Sequence, residues 1–328
     1  MAERLLDRRI DRRQTTPGFS EIGVQLKHLQ YLVALAKERH FGRAASALAI
    51  SQSALSQAIQ HLEKHFSTPI VLRHQSGFQG FTREGEAILS WARQSLADHD
   101  RLLNASQHDN DTELKGSLRL ALSPVAMSIT SLLTAPFAER YPGITISVLC
   151  KTMPEIERGL KEFEYDVGVT YLDGITLGGL RPYTLYDENY YLLVPKDHFL
   201  SDRTSIDWAE VGELPLCLLS PNLHNRIIID RIFSSVGVTP KAVIETNCSL
   251  GLFAHMRTGN WLTIVPHSYF YLLGDWLFIR SIPIVNPATT ATIGLVIHER
   301  DPISPNVRAF VEVAQEALIG KQLDRYRT

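Results

Sequence analysis

The stretch from Phe41 to Glu63, FGRAASALAISQSALSQAIQHLE, constrains the fold of this chain more than any other segment. Ala44, Ala45 and Leu48 share one side of a helix, and Ala45 is small enough to let a second helix cross closely over the first. Ala49 and Ile50 break that period, and Ser51 stands where it can cap the next helix. Leu55, Ile59 and Leu62 then resume an apolar stripe at i, i+4 and i+7. The spacing predicts two short helices joined by a tight turn. The upstream residues Leu29, Leu32, Val33, Leu35 and Ala36 supply the third wall of a small core.

With the apolar stripe buried, Gln52, Ser53, Ser56, Gln57, Gln60 and His61 face outward. A solvated helix face ordinarily carries Glu and Lys, whereas the first two turns here carry amides and hydroxyls without net charge. Such groups suit base edges in a major groove, Gln pairing with adenine and Ser with any base. Gln52, Ser53, Ser56 and Gln57 are the expected base-reading residues; the plain alternative is a polar face that touches nothing.

Downstream, PIVLRHQSGFQGFTREG reads as a strand, a glycine-marked turn at Gly77 to Gly80 and a second strand ending at Phe81 and Thr82, which together form a wing. Arg43, Gln60, His61, Arg73, His74, Thr82 and Arg83 are the expected phosphate contacts. Such contacts position a protein on a duplex without carrying sequence information.

Residues 27–86 resemble the winged helix-turn-helix domain of the LysR-type transcriptional regulators. The resemblance rests on Phe41, Arg43, Ala44, Ala45, Leu48, Ser51, Gln52, Ser53, Leu55, Ser56, Ile59, Leu62 and Glu63, then Arg73, Thr82 and Gly85. It implies a DNA-binding regulator acting as a dimer or tetramer on imperfect inverted repeats of double-stranded DNA, with RNA polymerase as a further partner.

At 328 residues and 45% hydrophobic content the chain can form two or three ordinary domains. Its net charge of −2 is unevenly spread. Residues 27–103 carry nine Lys/Arg against six Asp/Glu, and 104–328 carry nineteen against twenty-five, so the positive excess lies with the expected reading head. Cys150, Cys217 and Cys248 are odd in number and widely spaced, which argues against a disulfide framework or a zinc site and fits a reducing cytoplasm. No apolar run approaches the roughly 18 residues of a membrane helix, and MAERLLDRRIDRR lacks the apolar centre of a signal peptide. Residues 1–25 are expected to form a flexible extension, and 26–84 the winged DNA-binding domain.

Residues 84–107 contain no Pro and only Gly85, and Leu89, Ala92, Leu96, His99 and Leu103 recur in steps of three and four. That is the spacing of a helix packed on a partner, so 85–115 is expected to be a dimerisation helix followed by a hinge at HDNDTE, 108–113.

From Ser117 onward short apolar strands alternate with helices. SLRLALS, ITISVLC and DVGVTYL are separated by helices at about Ser128 to Arg140 and Met153 to Glu164, an order that predicts a parallel sheet. At YYLLVPK the chain enters a second lobe, with strands at LPLCLLS, KAVIETN and WLTIVP and helices at about Ile206 to Val211, Asn225 to Val236 and Leu250 to Thr258. It returns through ATIGLVIHE and closes with a helix at Val307 to Ile319. The expected architecture for 116–328 is an α/β effector domain of two periplasmic-binding-protein-like lobes, one formed by about 116–186 and 288–328, the other by about 187–287.

A ligand in such a domain belongs where strand ends and helix N-termini converge, a setting that favours an anion. Ser123 ends the first strand, and Thr152 opens a T-x-x-E capping box with Glu155. Asn222, His224 and Asn225 precede one helix of the second lobe, and Asn247, Cys248 and Ser249 precede another. These eight residues are the expected effector contacts. The family resemblance favours Ser123 and Thr152, and His224 could serve as a cationic partner for a carboxylate.

GxSxG, HExxH, Walker and GxGxxG motifs are all missing, Gly178-Gly179 is too short to cradle a phosphate, and Asp187/Glu188 read as a solvated loop. The expectation is therefore a regulator that is not an enzyme, with no cofactor and no metal, switched by a small effector. The alternative is a small-molecule or redox sensor whose N-terminal domain binds protein, with Cys150 or Cys248 as the reactive thiol.

Overall fold

The structure is a computed structural model, and it describes residues 23–74, 77–106, 114–176, 178–274, 278–300 and 302–326. Most of the expected N-terminal extension and the hinge at 108–113 lie outside the described residues, as do the side chains of Arg73, His74 and Leu103. The chain divides within one long helix into two compact units, Met1–Asp100 and Arg101–Thr328.

The first unit holds α1 (Leu26–Glu38), α2 (Phe41–Ala47), α3 (Gln52–His65), β1 (Val71–His74), β2 (Gly77–Phe81) and the start of α4 (Arg83–Ser106). Its core is the predicted stripe: Leu29, Leu32 and Leu35 of α1 meet Ala44 and Ala45 of α2 and Leu55, Ile59 and Leu62 of α3, all buried. Each leucine withdrawn from water there contributes about 2 kcal/mol. The turn between α2 and α3 is made by Ala49, whose φ of 54° stops the first helix. Ser51 restarts the chain as a cap, its Oγ accepting from the Ala54 amide at 3.1 Å. His40 caps α2 in the same way, Nδ1 accepting from the amides of Gly42 and Arg43 at 3.1 and 3.3 Å. The wing strands β1 and β2 pair antiparallel with a register break between Leu72 and Arg73. Glu63 Oε1 accepts from the amides of Ile70 and Val71, fixing the wing to the end of α3. Gly85 allows α4 to start against this turn, since a Cβ there would lie 2.1 Å from the Ile70 carbonyl oxygen.

The expected dimerisation seam is corrected here. Leu89 and Ala92 are buried in the core of their own unit and Leu96 packs against it, because the stripe is needed to close the open side of the three-helix cluster. Leu89 and Ala92 are therefore unavailable to a partner, whereas Leu96 and His99 are half-buried. The outward apolar group on this part of α4 is Trp91, edge-on to Phe66 with ring centres 5.7 Å apart.

The second unit begins with β3 (Gly116–Leu122), α5 (Thr130–Arg140), β4 (Ile144–Cys150), α6 (Met153–Lys161), β5 (Val167–Tyr171) and β6 (Leu180–Glu188). It continues through β7 (Tyr190–Pro195), β8 (Ile206–Asp207), α7 (Trp208–Val211), β9 (Leu216–Leu219), α8 (His224–Ser235), β10 (Ala242–Thr246) and α9 (Ser249–Met256). It ends with β11 (Thr263–Pro266), α10 (Phe270–Leu273), β12 (Ile279–Val285), β13 (Ala291–His298), α11 (Pro305–Glu316) and α12 (Ile319–Asp324). One lobe is built on the sheet β4-β3-β5-β13-β6; the other on β11-β7-β12-β8 and the parallel pair β10-β9. The chain crosses between lobes after Glu188 and again between β12 and β13.

Several local expectations are corrected. The first lobe's sheet is mixed, since β13 runs antiparallel to both β5 and β6. The segment from Ile206 to Val211 is a two-residue strand followed by one helical turn, because Ile206 pairs with Ile284. Helix α6 stops at Lys161, where Phe163 turns to a φ of 56° and the amides of Glu164 and Tyr165 both bond Gly159. The sequence reading did not include β6 or β12. Pro182 and the alternating exposure of β6 are those of an edge strand, which weakens its apolar signal.

Candidate functional site

Two surfaces carry the expected chemistry, one in each unit. On α3, Gln52, Ser53, Gln57 and Gln60 are exposed and Ser56 is half-buried. The residues line the N-terminal half of one helix whose opposite side, Leu55, Ala58, Ile59 and Leu62, is buried. Ser53 Oγ shares a 2.9 Å hydrogen bond with the capping Ser51 Oγ. Arg43 stands in the first turn of α2 with its side chain 63% exposed; its Nη2 donates to the Glu38 carbonyl at 2.7 Å and its Nε lies 3.7 Å from Glu38 Oε2.

Not every expected phosphate contact has this freedom. His61 turns into the seam between α1 and α3, its ring 4.9 Å from that of His28, with Nε2 buried. Burial, together with His61 and Lys27, pushes the His28 imidazole below its ordinary value. Thr82 is also committed: its Oγ1 donates to the Pro69 carbonyl at 2.6 Å and accepts from the Gly85 amide at 2.9 Å, capping α4. Arg83 remains exposed.

The second surface is a cleft between the lobes of the second unit, lined by Ser123, Pro124, Val125, Thr152, Met153, Tyr171, Leu219, Leu223, His224 and Asn225. It lies beyond the C-terminal ends of β3 and β9, where the N-termini of α6 and α8 also arrive. The free N–H groups and dipoles of those helices point their positive ends at this space. Four expected residues, Ser123, Thr152, His224 and Asn225, come together here. Asn222, Asn247, Cys248 and Ser249 do not line it: the first three are exposed, and the Ser249 hydroxyl bonds that of Tyr269.

The polar atoms of the cleft divide into engaged and free. Thr152 donates its hydroxyl and its amide to Glu155 Oε2 at 2.7 and 2.8 Å, the capping box of α6, which holds the Glu155 carboxyl below its ordinary value. Asn225 Nδ2 donates to the Tyr171 hydroxyl at 2.8 Å, a bond from one lobe to the other. Ser123 Oγ is buried and has no partner within the protein, and the same is true of His224 Nε2. Burial first, and the nearby Arg231 second, push the His224 imidazole down from its ordinary value. The Asp173 backbone and charge pull the other way, and the net shift works against a cationic His224 in the unliganded cleft. Among the described residues that line the cleft there is no lysine or arginine.

Behind the cleft lies a group that sequence reasoning misplaced. Glu188, expected in a solvated loop, ends β6 with its side chain fully buried. It accepts from the hydroxyls of Tyr171 at 2.8 Å, Tyr186 at 3.0 Å and Ser268 at 3.0 Å. Burial raises its carboxyl to about 7, while the three donors pull the other way. The pattern YDENYY held the signal: an acid flanked by tyrosines that belong to an apolar strand pair.

Among the described residues there is no cluster of three or more His, Cys, Asp or Glu side chains placed to hold a metal, and no helix long and apolar enough to cross a membrane.

Comparison with known proteins identifies the domains that hold these surfaces. Residues 26–86 match the family described as bacterial regulatory helix-turn-helix protein, lysR family, and residues 111–319 match the LysR substrate binding domain. An uncharacterized HTH-type transcriptional regulator, YnfL, of Escherichia coli (strain K12) is 25% identical over 295 residues, spanning 88% of this chain and 97% of its own length. A probable hydrogen peroxide-inducible genes activator of Mycobacterium leprae (strain TN) is 30% identical over 243 residues, 73% of this chain and 77% of its own. Of the solved structures, a full-length OxyR variant from Pseudomonas aeruginosa superposes with a TM-score of 0.67 at 23% identity, covering 93% of this chain and 97% of that one. Full-length CbnR in complex with its target DNA gives 0.59 at 22% identity, over 89% and 99%. At these identities the structures show a shared fold. The chain belongs to the LysR family, and is a DNA-binding transcriptional regulator that joins the family's helix-turn-helix to its substrate-binding domain.

Proposed function

We propose that the protein reads an imperfect inverted repeat through Gln52, Ser53, Ser56 and Gln57, and that a small anion bound in the cleft controls how it does so. The observation that carries the reading is the uncharged amide-and-hydroxyl ridge on an exposed helix whose other side is fully used by the core. Arg43, Gln60 and Arg83 on the same unit, with Arg73 and His74 on the wing, supply phosphate contacts in this reading. A dimer or a dimer of dimers sets two such helices in successive major grooves about 34 Å apart.

The effector is held by hydroxyls and helix N-termini, since among the described residues the cleft wall carries no lysine or arginine. Ser123, Thr152, His224 and Asn225 are its contacts, and the unpartnered Ser123 hydroxyl and His224 nitrogen are the groups it satisfies. Binding changes transcription only if the ligand prefers one lobe arrangement over the other, and the altered spacing or bend of the bound DNA then governs access by RNA polymerase.

The test is a footprint of the full-length protein on its own upstream region, repeated with a panel of small carboxylates and inorganic anions. Protection of a dyad, with an edge that moves when one ligand is added, is expected. Protection that never localises to a dyad at any salt concentration contradicts the DNA reading, and a footprint unmoved by every ligand that raises the melting point contradicts the switch.

A further inference from the structure

Cys150 and Cys248 lie almost a hundred positions apart in the chain, yet the fold brings them to the same rim. Cys150 is the last residue of β4, paired with Leu122 at the end of β3, and the Lys151 amide bonds the Leu122 carbonyl. It therefore sits one strand over from Ser123 and two residues before Thr152, both on the cleft wall of the first lobe. Cys248 is the N-cap of α9 in the second lobe. Its amide bonds the Thr246 hydroxyl, and Thr246 pairs with Leu219, which lines the opposite wall. Both thiols are free and exposed, whereas the remaining cysteine, Cys217, is fully buried in β9. Ser249, next to Cys248, bonds the buried Tyr269, and the charges of Tyr269 and of both thiols act on one another.

We propose that Cys150 and Cys248 form a reversible dithiol–disulfide pair across the mouth of the cleft, oxidised by hydrogen peroxide. In the first step the Cys248 thiolate attacks one peroxide oxygen. The O–O bond breaks, the leaving oxygen departs as water after taking a proton, and Cys248 becomes a sulfenic acid. In the second step the sulfur of Cys150 attacks that of Cys248. The S–S bond forms, the S–O bond breaks, and the departing hydroxide takes the Cys150 proton. Two thiols and one peroxide give one disulfide and two waters. Cys248 is assigned the attacking role because it stands exposed at the N-cap of α9, and Cys150 the resolving role because it ends a sheet strand where burial, then Cys248 and Glu155, push its thiol up. The bond staples one lobe to the other at the rim, so oxidation fixes the cleft's opening. Its formation does not depend on which effector the cleft takes, so the chemistry stands or falls apart from the ligand reading.

The experiment uses the full-length protein, reduced, freed of reductant and treated with stoichiometric hydrogen peroxide. Non-reducing peptide mapping is expected to recover the Cys150 and Cys248 peptides as one linked species, reversed by dithiothreitol, with Cys217 still reduced. C150S should leave a sulfenic acid on Cys248 that a dione probe traps, and C217S should link like the native protein. Oxidation should raise the thermal midpoint of the native protein and leave that of C150S unchanged. Linkage between two copies of Cys248, or a native protein that yields only separately oxidised thiols, overturns the proposal.

Discussion

Glu188 Oε2 accepts the hydroxyl of Tyr171 at 2.8 Å, and through that bond the buried end of an edge strand holds the residue that floors the cleft. Tyr171 in turn accepts from Asn225 of the other lobe, and Glu188 accepts from Ser268 beyond the crossover. The cleft thus rests on a polar chain that runs from lobe to lobe, and a low local dielectric makes each link costly to break.

That chain has a pH dependence whose sign follows from Glu188. Its carboxyl is raised from 4.5 to about 7 in the folded protein. Between those values the native state holds a proton that the unfolded chain has released, so this group's contribution to stability falls as pH rises through the window, by on the order of 3 kcal/mol in all. Glu188→Gln removes the titration. Urea unfolding at about pH 5 and pH 8 should show the native protein losing stability relative to the variant as pH rises. Parallel profiles contradict the assignment.

Ser123 carries a buried hydroxyl with no partner in the unliganded protein. Removing it relieves a desolvation cost, so Ser123→Ala should leave the unliganded melting point unchanged or slightly higher, while the rise produced by a cleft ligand shrinks. A loss of about 1 kcal/mol or more without ligand would mean that this hydroxyl supports the fold instead.

Gly85 has no room for a methyl group: a Cβ would sit 2.1 Å from the oxygen and 2.9 Å from the carbon of the Ile70 carbonyl, both backbone atoms. Gly85→Ala should cost about 2 kcal/mol or more by forcing α4 away from the wing. Limited proteolysis between the wing and α4 reads that opening directly, and an unchanged cleavage rate would refute it.

His40 accepts from two amides at the start of α2. His40→Ala should lower stability by about 1 kcal/mol, as the loss of other N-caps does, whereas His40→Asn, a residue suited to the same position, should restore most of it. Chemical unfolding of the three proteins separates capping from mere surface exposure.

Much of the first unit was legible because its signals are local. Ser51, Ala45 and the stripe Leu55, Ile59 and Leu62 lie within a few turns of one another, and helical spacing alone assigns their faces. Gly85 and Thr82 were legible only as matches to a family pattern; their reason, a turn pressed against Ile70, is a contact across the chain. The cleft was half legible. Ser123, Thr152 and Asn225 reveal themselves by standing at strand ends and helix starts, but Asn247 and Asn222 occupy equivalent places in sequence and end in solvent. Glu188 was misread because its burial comes from residues as distant as Ser268, and Leu89 because a heptad-like spacing does not say whether the partner helix belongs to the same chain.

The most direct measurement is binding-site selection from a randomised DNA pool with the native protein and with Gln52→Ala, at one fixed salt concentration. The account predicts a dyad in which Gln52→Ala loses about 1–3 kcal/mol of discrimination at one base pair per half-site, adenine being the preferred base there, while the remaining positions keep their preference. An unchanged preference at every position would show that α3 does not read the bases.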